Sequence, residues 1–246
     1  MARARYKEQR APRQLDPWVE GVWSVETPRE RVVGYGVPPD GCLDIIYSAG
    51  EGIRAVGAMT VERQFDFAAN SCLFGVRFRP GLAGRFLQAS PAELTDKILS
   101  LEDLWGAEAR QLRQQLDDLT AGEQRFTLIL DALVKRTAAP NPVQRAIHAI
   151  TLMAGNVDLE FVARQANLSP RQFRRRCLEE SGLTPKHLCR VLRFQQACRL
   201  AESLPRRDWS RIAVDAGFFD QAHLISDFRE FTGRTPVSFF SNTPQR

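Results

Sequence analysis

Two arginines one helical turn apart, Arg171 and Arg175, lie in a stretch whose composition is typical of an α-helix. If Phe173 faces a core, an advance of about 100° per residue puts both arginines on the opposite side of that helix, flanked by Gln172 and Arg174. Guanidinium groups presented in this way can make bidentate hydrogen bonds to guanine O6 and N7 in the major groove of DNA. We therefore predict Arg171, Arg175 and Gln172 as base-reading residues and Arg174 as a phosphate contact. Exposed arginines that only keep the surface soluble are the alternative.

A second helix further along the chain offers a weaker face of the same kind. With Leu224 and Phe228 turned inward, its exposed side carries Gln221 and His223, which we predict as further base-reading residues. Residues 206–234 hold five basic and five acidic side chains, so this helix attracts a polyanion less strongly than the first. The remaining predicted phosphate or flanking contacts are Lys186, Arg190, Arg193, Ser226 and Arg229.

Positive charge is concentrated in one part of the sequence. The net charge is +5, but residues 1–140 carry 18 Lys and Arg against 19 Asp and Glu, whereas the remainder carries 16 against 10. Residues 169–199 alone hold eight basic side chains and two acidic ones. Such a patch concentrates a polyanion and gains affinity for duplex DNA by releasing counterions. A solvated helix face is the alternative reading of charge alone.

The C-terminal part repeats itself at an offset of about 51 residues. Each copy has a small residue in a first helix (Ala163, Ala213) and a large apolar residue at the turn (Leu168, Phe218), which is the requirement for two closely crossing helices. Both copies also have side chains that can cap the second helix and glycines that can end it. The pattern predicts two helix-turn-helix units joined by a helix from residue 185 to about 203. The positions that mark starts and stops are Ser169, Pro170, Asp220, Gly182, Gly233, Thr184, Pro185, Thr235 and Pro236.

The sequence before residue 140 has a different pattern. Short runs with β-type composition are separated by Gly, Pro and Asp, and helical spacing begins only after Pro80. Two prolines in three residues, Pro140 and Pro142, favour extended backbone and mark a boundary. We predict a two-domain α+β protein: a small mixed β-sheet or barrel with helices in residues 1–138, and an all-α double helix-turn-helix domain in residues 142–246. The predicted strands are 18–26, 31–37, 42–48, 53–59 and 72–79, and the predicted helices are 82–88, a longer one after residue 100, and 123–136.

The second C-terminal unit resembles the AraC/XylS family of bacterial transcription regulators. The resemblance rests on IAVDAGF (residues 212–218), DQAHLISDFR (residues 220–229) and GRTP (residues 233–236). It implies a DNA-binding domain whose two recognition helices enter successive major-groove segments on one face of the duplex. Ser226 departs from the pattern, because many members have arginine there, and this strengthens the asymmetry between the two helices.

The N-terminal part is similar to the uncharacterised sensor-type domain that often precedes such a DNA-binding domain. The matching segments are PPDGCLDII (38–46), GVRFRPG (75–81), ELTD (93–96) and LEDLWG (101–106). Within them, Asp44, Arg77 and Arg79 could orient a small effector in an apolar concavity. Charged residues that pair across neighbouring strands explain the same three positions equally well.

The remaining features exclude several classes of protein. The chain has no phosphate-binding glycine loop, no G-x-S-x-G and no H-E-x-x-H, and its five cysteines lack the spacing of a metal site. The basic start, with Arg3, Arg5 and Lys7, has no apolar segment behind it, and we expect either a disordered arm or one that reaches a minor groove. We predict a cytoplasmic, sequence-specific transcription regulator, not an enzyme, with no cofactor, no metal and no membrane contact. Its predicted partner is double-stranded DNA, and RNA polymerase, a small-molecule effector and a second copy of the chain stay open.

Two alternatives of other classes stay open. One is a DNA-repair or alkyl-transfer protein with the same DNA-binding module, which would need a reactive cysteine or a zinc cluster. The other is a ligand-binding protein whose helix-turn-helix pair mediates protein contacts.

Overall fold

The N-terminal part is built around an antiparallel sheet. A computed structural model describes residues 4–242, and within them the sheet has the strand order β1-β2-β7-β4-β5-β8, while β3 pairs with β6 in a separate ribbon. Each observed pairing is antiparallel. The strands are β1 Arg5–Gln9, β2 Val19–Glu26, β3 Val32–Val37, β4 Leu43–Ser48, β5 Gly52–Val56, β6 Arg63–Phe67, β7 Cys72–Phe78 and β8 Ile98–Ser100.

Alternation along β4 explains why the sheet has two different faces. Leu43, Ile45 and Tyr47 point into the main hydrophobic core, because successive strand residues face opposite sides. Ile46 faces the other side and packs with a smaller cluster around Trp23. The five predicted strands are all present, with ends that differ from the prediction by at most three residues.

The expected N-terminal arm is instead an edge strand. Arg5 pairs with Glu26 and Lys7 with Ser24 in the β1–β2 ladder, and the Lys7 ammonium lies 3.3 Å from the Glu26 carboxylate. The prediction of a free arm is therefore wrong for residues 5–9. Arg3 lies outside the described residues.

The helices that follow the sheet are α1 Gly84–Leu87, α2 Pro91–Leu94, α3 Leu101–Trp105, α4 Ala107–Asp118 and α5 Gly122–Val134. The single long helix expected after residue 100 is split into α3 and α4. Gly106 separates them with a φ of +59°, a conformation that glycine adopts at little cost. Trp105 nevertheless stays buried, with its indole N–H donating to the Phe86 carbonyl at 2.8 Å.

The C-terminal part is entirely helical. Its helices are α6 Pro142–Leu152, α7 Leu159–Gln165, α8 Pro170–Ser181, α9 Pro185–Ser203, α10 Trp209–Asp215, α11 Gln221–Thr232 and α12 Pro236–Asn242. The pairs α7–α8 and α10–α11 are the two predicted helix-turn-helix units, and α9 joins them. The predicted fold class, a β-sheet region with helices followed by a helical helix-turn-helix domain, is confirmed. In residues 4–242 no helix has the length and apolar character needed to span a bilayer.

The two parts pack closely together. The main core is continuous from the sheet through α6, α8 and α9. A side chain added at Gly81 would come within 2.8 Å of Ile147 on α6, and one at Gly41 within 3.0 Å of Leu188 on α9. Backbone of the N-terminal part therefore lies directly against α6 and α9.

Candidate nucleic-acid interface

Helix α8 presents the predicted arginine pair to solvent. Ser169 caps its first turn in a reciprocal capping box with Gln172, and Gly182 ends it in the left-handed conformation. Phe173 is buried on the inner side, whereas Arg171 and Arg175 are exposed on the outer side, as the helical geometry predicts.

The exposed polar side chains of α8 differ in how far they are already bound to other groups of the protein. Arg175 lies 3.4 Å from the Glu179 carboxylate, an exposed contact of little energy. Arg171 and Arg174 have no ion-pair partner within the described part of the chain. The side-chain oxygen of Gln172 accepts from the Ser169 backbone N–H at 3.0 Å, so this residue is partly occupied by the cap.

Helix α11 offers the less charged face that its sequence predicts. Asp220 caps it, and Leu224 and Phe228 are buried. The predicted contact residues on its exposed side are Gln221, His223, Ser226 and Arg229. Gln221 already accepts a hydrogen bond from Ser210 at 2.8 Å, and the His223 ring packs edge-on against Phe218 with a centroid distance of 5.2 Å.

One exposed residue beside α11 was missed by the sequence reasoning. Phe219 directly precedes the helix cap and is 88% exposed. A large apolar side chain at the start of a recognition helix can contact a thymine methyl group. The available signal was the second aromatic residue of the pair at 218–219, because one aromatic is enough to fill the helix crossing.

Arg190 on α9 is held within the protein. Its guanidinium donates to the Asp227 carboxylate at 2.8 Å and to the Glu230 carboxylate at 2.8 Å, which ties α9 to α11. The hydrogen bond from Arg190 lowers the pKa of Glu230. Because Asp227 is only 2% exposed, the ion pair is part of the folded core. The prediction of Arg190 as a phosphate contact is therefore not supported, since its donors are already engaged.

The other two predicted contacts on α9 also differ from each other. Lys186 is exposed near the start of the helix and available to solvent. Arg193 donates to the Gly155 carbonyl at 3.2 Å and lies 5.9 Å from the centre of the Phe218 ring. Its role in the fold is therefore to link the two helix-turn-helix units.

Direct contacts fix the two units relative to each other. The Asn156 side chain, which precedes α7, donates to the Ala216 carbonyl at 3.4 Å. At Gly217 an added Cβ would lie 1.7 Å from the Asn156 side-chain oxygen, so any larger residue would displace the Asn156 side chain. The left-handed φ of +84° at Gly217 adds a second reason for glycine. The turn of the second unit thus packs against the segment that precedes α7 of the first unit.

The candidate effector residues form ion pairs in two separate places, and Arg77 also lies 3.4 Å from the Asp40 carboxylate. Asp44 faces Arg77 in the β4–β7 register at 3.6 Å and accepts from the Trp23 indole N–H at 2.7 Å. Burial raises the pKa of Asp44 to about 6, although Arg77 opposes this shift. Arg79 instead pairs with Asp16 at 3.7 Å. The three residues are therefore engaged with other parts of the chain, and cross-strand pairing accounts for Asp44 and Arg77.

Two family models match the chain. Residues 162–242 match a helix-turn-helix domain, and residues 7–100 match a domain of unknown function (DUF6597). No curated protein matches the chain.

Several solved structures are similar to the chain. The DNA-binding domain of the global transcriptional factor AdpA, in complex with a target DNA, is 25% identical over 44% of this chain and 100% of that domain, with a TM-score of 0.39. A DNA-binding transcriptional dual regulator from Escherichia coli K-12 is 25% identical over 45% of this chain and 98% of its own, with a TM-score of 0.37. ToxT from Vibrio cholerae is 10% identical over 98% of each chain, with a TM-score of 0.44.

Proposed function

We propose that this chain, which belongs to the AraC/XylS family of DNA-binding transcription regulators, reads two successive major-groove segments with α8 and α11. The observation that carries the proposal is the guanidinium pair of Arg171 and Arg175, exposed on a well-capped helix directly opposite buried Phe173. Each of these guanidinium groups can make a bidentate contact to guanine O6 and N7 in the groove. In this proposal Gln172 donates hydrogen bonds to a base edge through its amide N–H groups.

The two recognition helices have unequal roles in this proposal. Helix α8 supplies most of the affinity. Arg174 on α8 and Lys186 at the start of α9 are the phosphate contacts that position the protein. Helix α11 adds limited readout through Gln221 and His223, with Ser226 and Arg229 at its flank. Asn156, Gly217 and Arg193 hold the two helices in one fixed arrangement.

Regulation is proposed to act on the C-terminal ends of both recognition helices, because the N-terminal part contacts both. At α8, the Ser90 hydroxyl donates to the Glu179 carbonyl at 3.0 Å and the Thr95 hydroxyl donates to the Gly182 carbonyl at 2.8 Å. At the end of α11, the Glu62 backbone N–H donates to the Phe231 carbonyl at 2.6 Å.

The N-terminal segments that make these contacts are themselves connected. Asp96 accepts from the Thr60 backbone N–H at 2.8 Å and from the Thr60 hydroxyl at 2.7 Å, which joins the segment before β6 to the segment after α2. Glu62 also pairs with the Arg234 guanidinium beyond the end of α11. A ligand or partner that shifts this joined unit would move both helix ends together and change the population of the DNA-binding arrangement.

Cysteine chemistry does not favour the alkyl-transfer alternative. Burial raises the pKa of Cys177 to about 12 and that of Cys189 to about 11. A nucleophilic cysteine needs the opposite shift of its pKa, toward the thiolate at neutral pH.

We further propose that the regulator acts in the cytoplasm, with RNA polymerase and a second copy of the chain as protein partners.

The test is selection of binding sites from genomic fragments with the full chain, followed by footprinting. We expect a preferred sequence with two protected major-groove segments centred about 10 base pairs apart on one face of the duplex. Binding without sequence preference, or protection of a single segment, would contradict the proposal.

A further inference from the structure

An open cavity of about 540 Å³ lies where the N-terminal part, the connecting segment and α8 meet. This volume is within the range of small-molecule sites, and such sites occur preferentially between domains. The residues of its lining that matter here are Trp18, Arg85, Pro91, Asn141, Glu179 and Glu180.

The charge of the lining favours a cation. The Glu180 carboxylate accepts from the side-chain amides of Asn141 at 2.7 Å and Gln144 at 2.9 Å, which are neutral donors, and no ion-pair partner for it occurs in residues 4–242. Glu179 adds a second carboxylate, which lies 3.4 Å from the Arg175 guanidinium, whereas Arg85 supplies one guanidinium to the lining, so Glu180 is the carboxylate that lacks a cation. Both glutamates lie in the last turn of α8, where the helix dipole also attracts positive charge.

Apolar side chains from the N-terminal part also line the cavity. Trp18 is held in place by a hydrogen bond from its indole N–H to the Ala138 carbonyl at 3.1 Å and by an edge-on contact with Phe86. Pro91 also lines the cavity. An indole beside carboxylates suits a flat organic group that carries a positive charge.

We propose that this cavity binds a small organic cation, an amine or amidine with a flat apolar body, whose charged end contacts Glu180. The role of this cavity as a regulatory site rests on the proposed function. Three bonds of its wall join separate parts of the protein: Trp18 to Ala138, Ser90 to Glu179, and Asn141 to Glu180. An occupant therefore contacts the N-terminal part, the connecting segment and the end of a recognition helix at once.

The experiment uses the full chain and three probes of similar shape: benzamidinium, neutral benzamide and anionic benzoate. Each is titrated at constant ionic strength while the ¹⁵N spectrum of the tryptophan indoles is recorded, with the Trp18 signal assigned from Trp18→Phe. We expect benzamidinium to shift the Trp18 indole signal saturably and to bind about tenfold more tightly than benzamide, with no binding of benzoate.

Glutamine variants test the charge itself. Glu180→Gln is expected to weaken benzamidinium binding about tenfold, and the matched variant Glu202→Gln, on the exposed side of α9, should leave it unchanged. Glu179→Gln is the second variant, because it removes a carboxylate from the lining without touching the bonds to Asn141 and Gln144; since it also releases Arg175, only its affinity for benzamidinium is compared. Equal binding of the three probes, no binding of benzamidinium, or no effect of either cavity variant would overturn the proposal.

Gel shifts on the same samples separate this inference from the proposed function. A chain that binds DNA selectively but not benzamidinium refutes the cavity site alone. A chain that binds benzamidinium at Glu180 but has no DNA preference refutes the proposed function and leaves the site standing.

Discussion

Replacing Arg171 with alanine should have a larger effect on DNA affinity than replacing Arg175. A bidentate arginine contact to guanine contributes about 1 to 3 kcal/mol of discrimination. Arg171 has no carboxylate partner within the described residues, so the full contribution is lost in Arg171→Ala. Arg175 must first leave Glu179, an exposed pair of about 0.5 kcal/mol, so Arg175→Ala should cost correspondingly less. We expect affinity losses of about tenfold to a hundredfold for the first variant and about two- to threefold less for the second.

The assay is a titration of the selected DNA site at fixed salt, repeated on sites with one guanine replaced. Each arginine variant should bind its wild-type and replaced sites equally well, because the group that distinguishes them has been removed. Arg110→Ala on α4 is the matched control, since it removes one exposed positive charge from a helix far along the chain from α8. Wild-type affinity and footprints in both arginine variants would refute the assignment of readout to α8.

Three further outcomes follow from the same structure. Lys186→Ala should weaken binding to all sequences alike and reduce the slope of log affinity against log salt by about one, and a sequence-selective loss would contradict its role as a phosphate contact. Arg190→Ala leaves the buried Asp227 carboxylate without its cation and should lower the free energy of unfolding by about 3 kcal/mol. Urea denaturation measures this change, and an unchanged midpoint would contradict a stabilising role of the ion pair. Because burial raises the pKa of Asp44 to about 6, the folded state holds that proton more tightly, so this group's contribution to stability is lost as pH rises from about 4 to 6. Asp44→Asn should remove that part of the pH dependence, and an unaltered pH profile of stability would exclude Asp44 as its source.

Local signals in the sequence were enough to predict the second helix of each helix-turn-helix unit. Ser169, Gly182 and Asp220 act through side chains or backbone angles within a few residues of the helix ends, so their effects do not depend on distant packing. The inward position of Phe173 follows from helical periodicity for the same reason. The exposed face of α8 therefore follows from the amino-acid sequence alone.

Long-range pairing does not follow from the sequence in this way. Arg190 meets Asp227, 37 residues later, only because the packing of α9 against α11 brings them together. Strand β1 was missed because its charged residues resemble a solvated arm, and its structure comes from pairing with β2. Glu179 and Glu180 likewise line a cavity only because residues of the N-terminal part supply much of the rest of its lining.

The positions of the interdomain contacts favour one kind of regulation. Recognition helices contact DNA mainly through their first turns and middle, and in α8 those turns carry Arg171 and Arg175. Both arginines are exposed while the N-terminal part is docked, whereas Glu179 and Gly182 at the far end of α8 accept its hydrogen bonds. The same holds for α11, whose contact is at Phe231. We therefore infer that the N-terminal part acts on the far ends of both helices together and leaves the turns that carry the predicted DNA contacts uncovered.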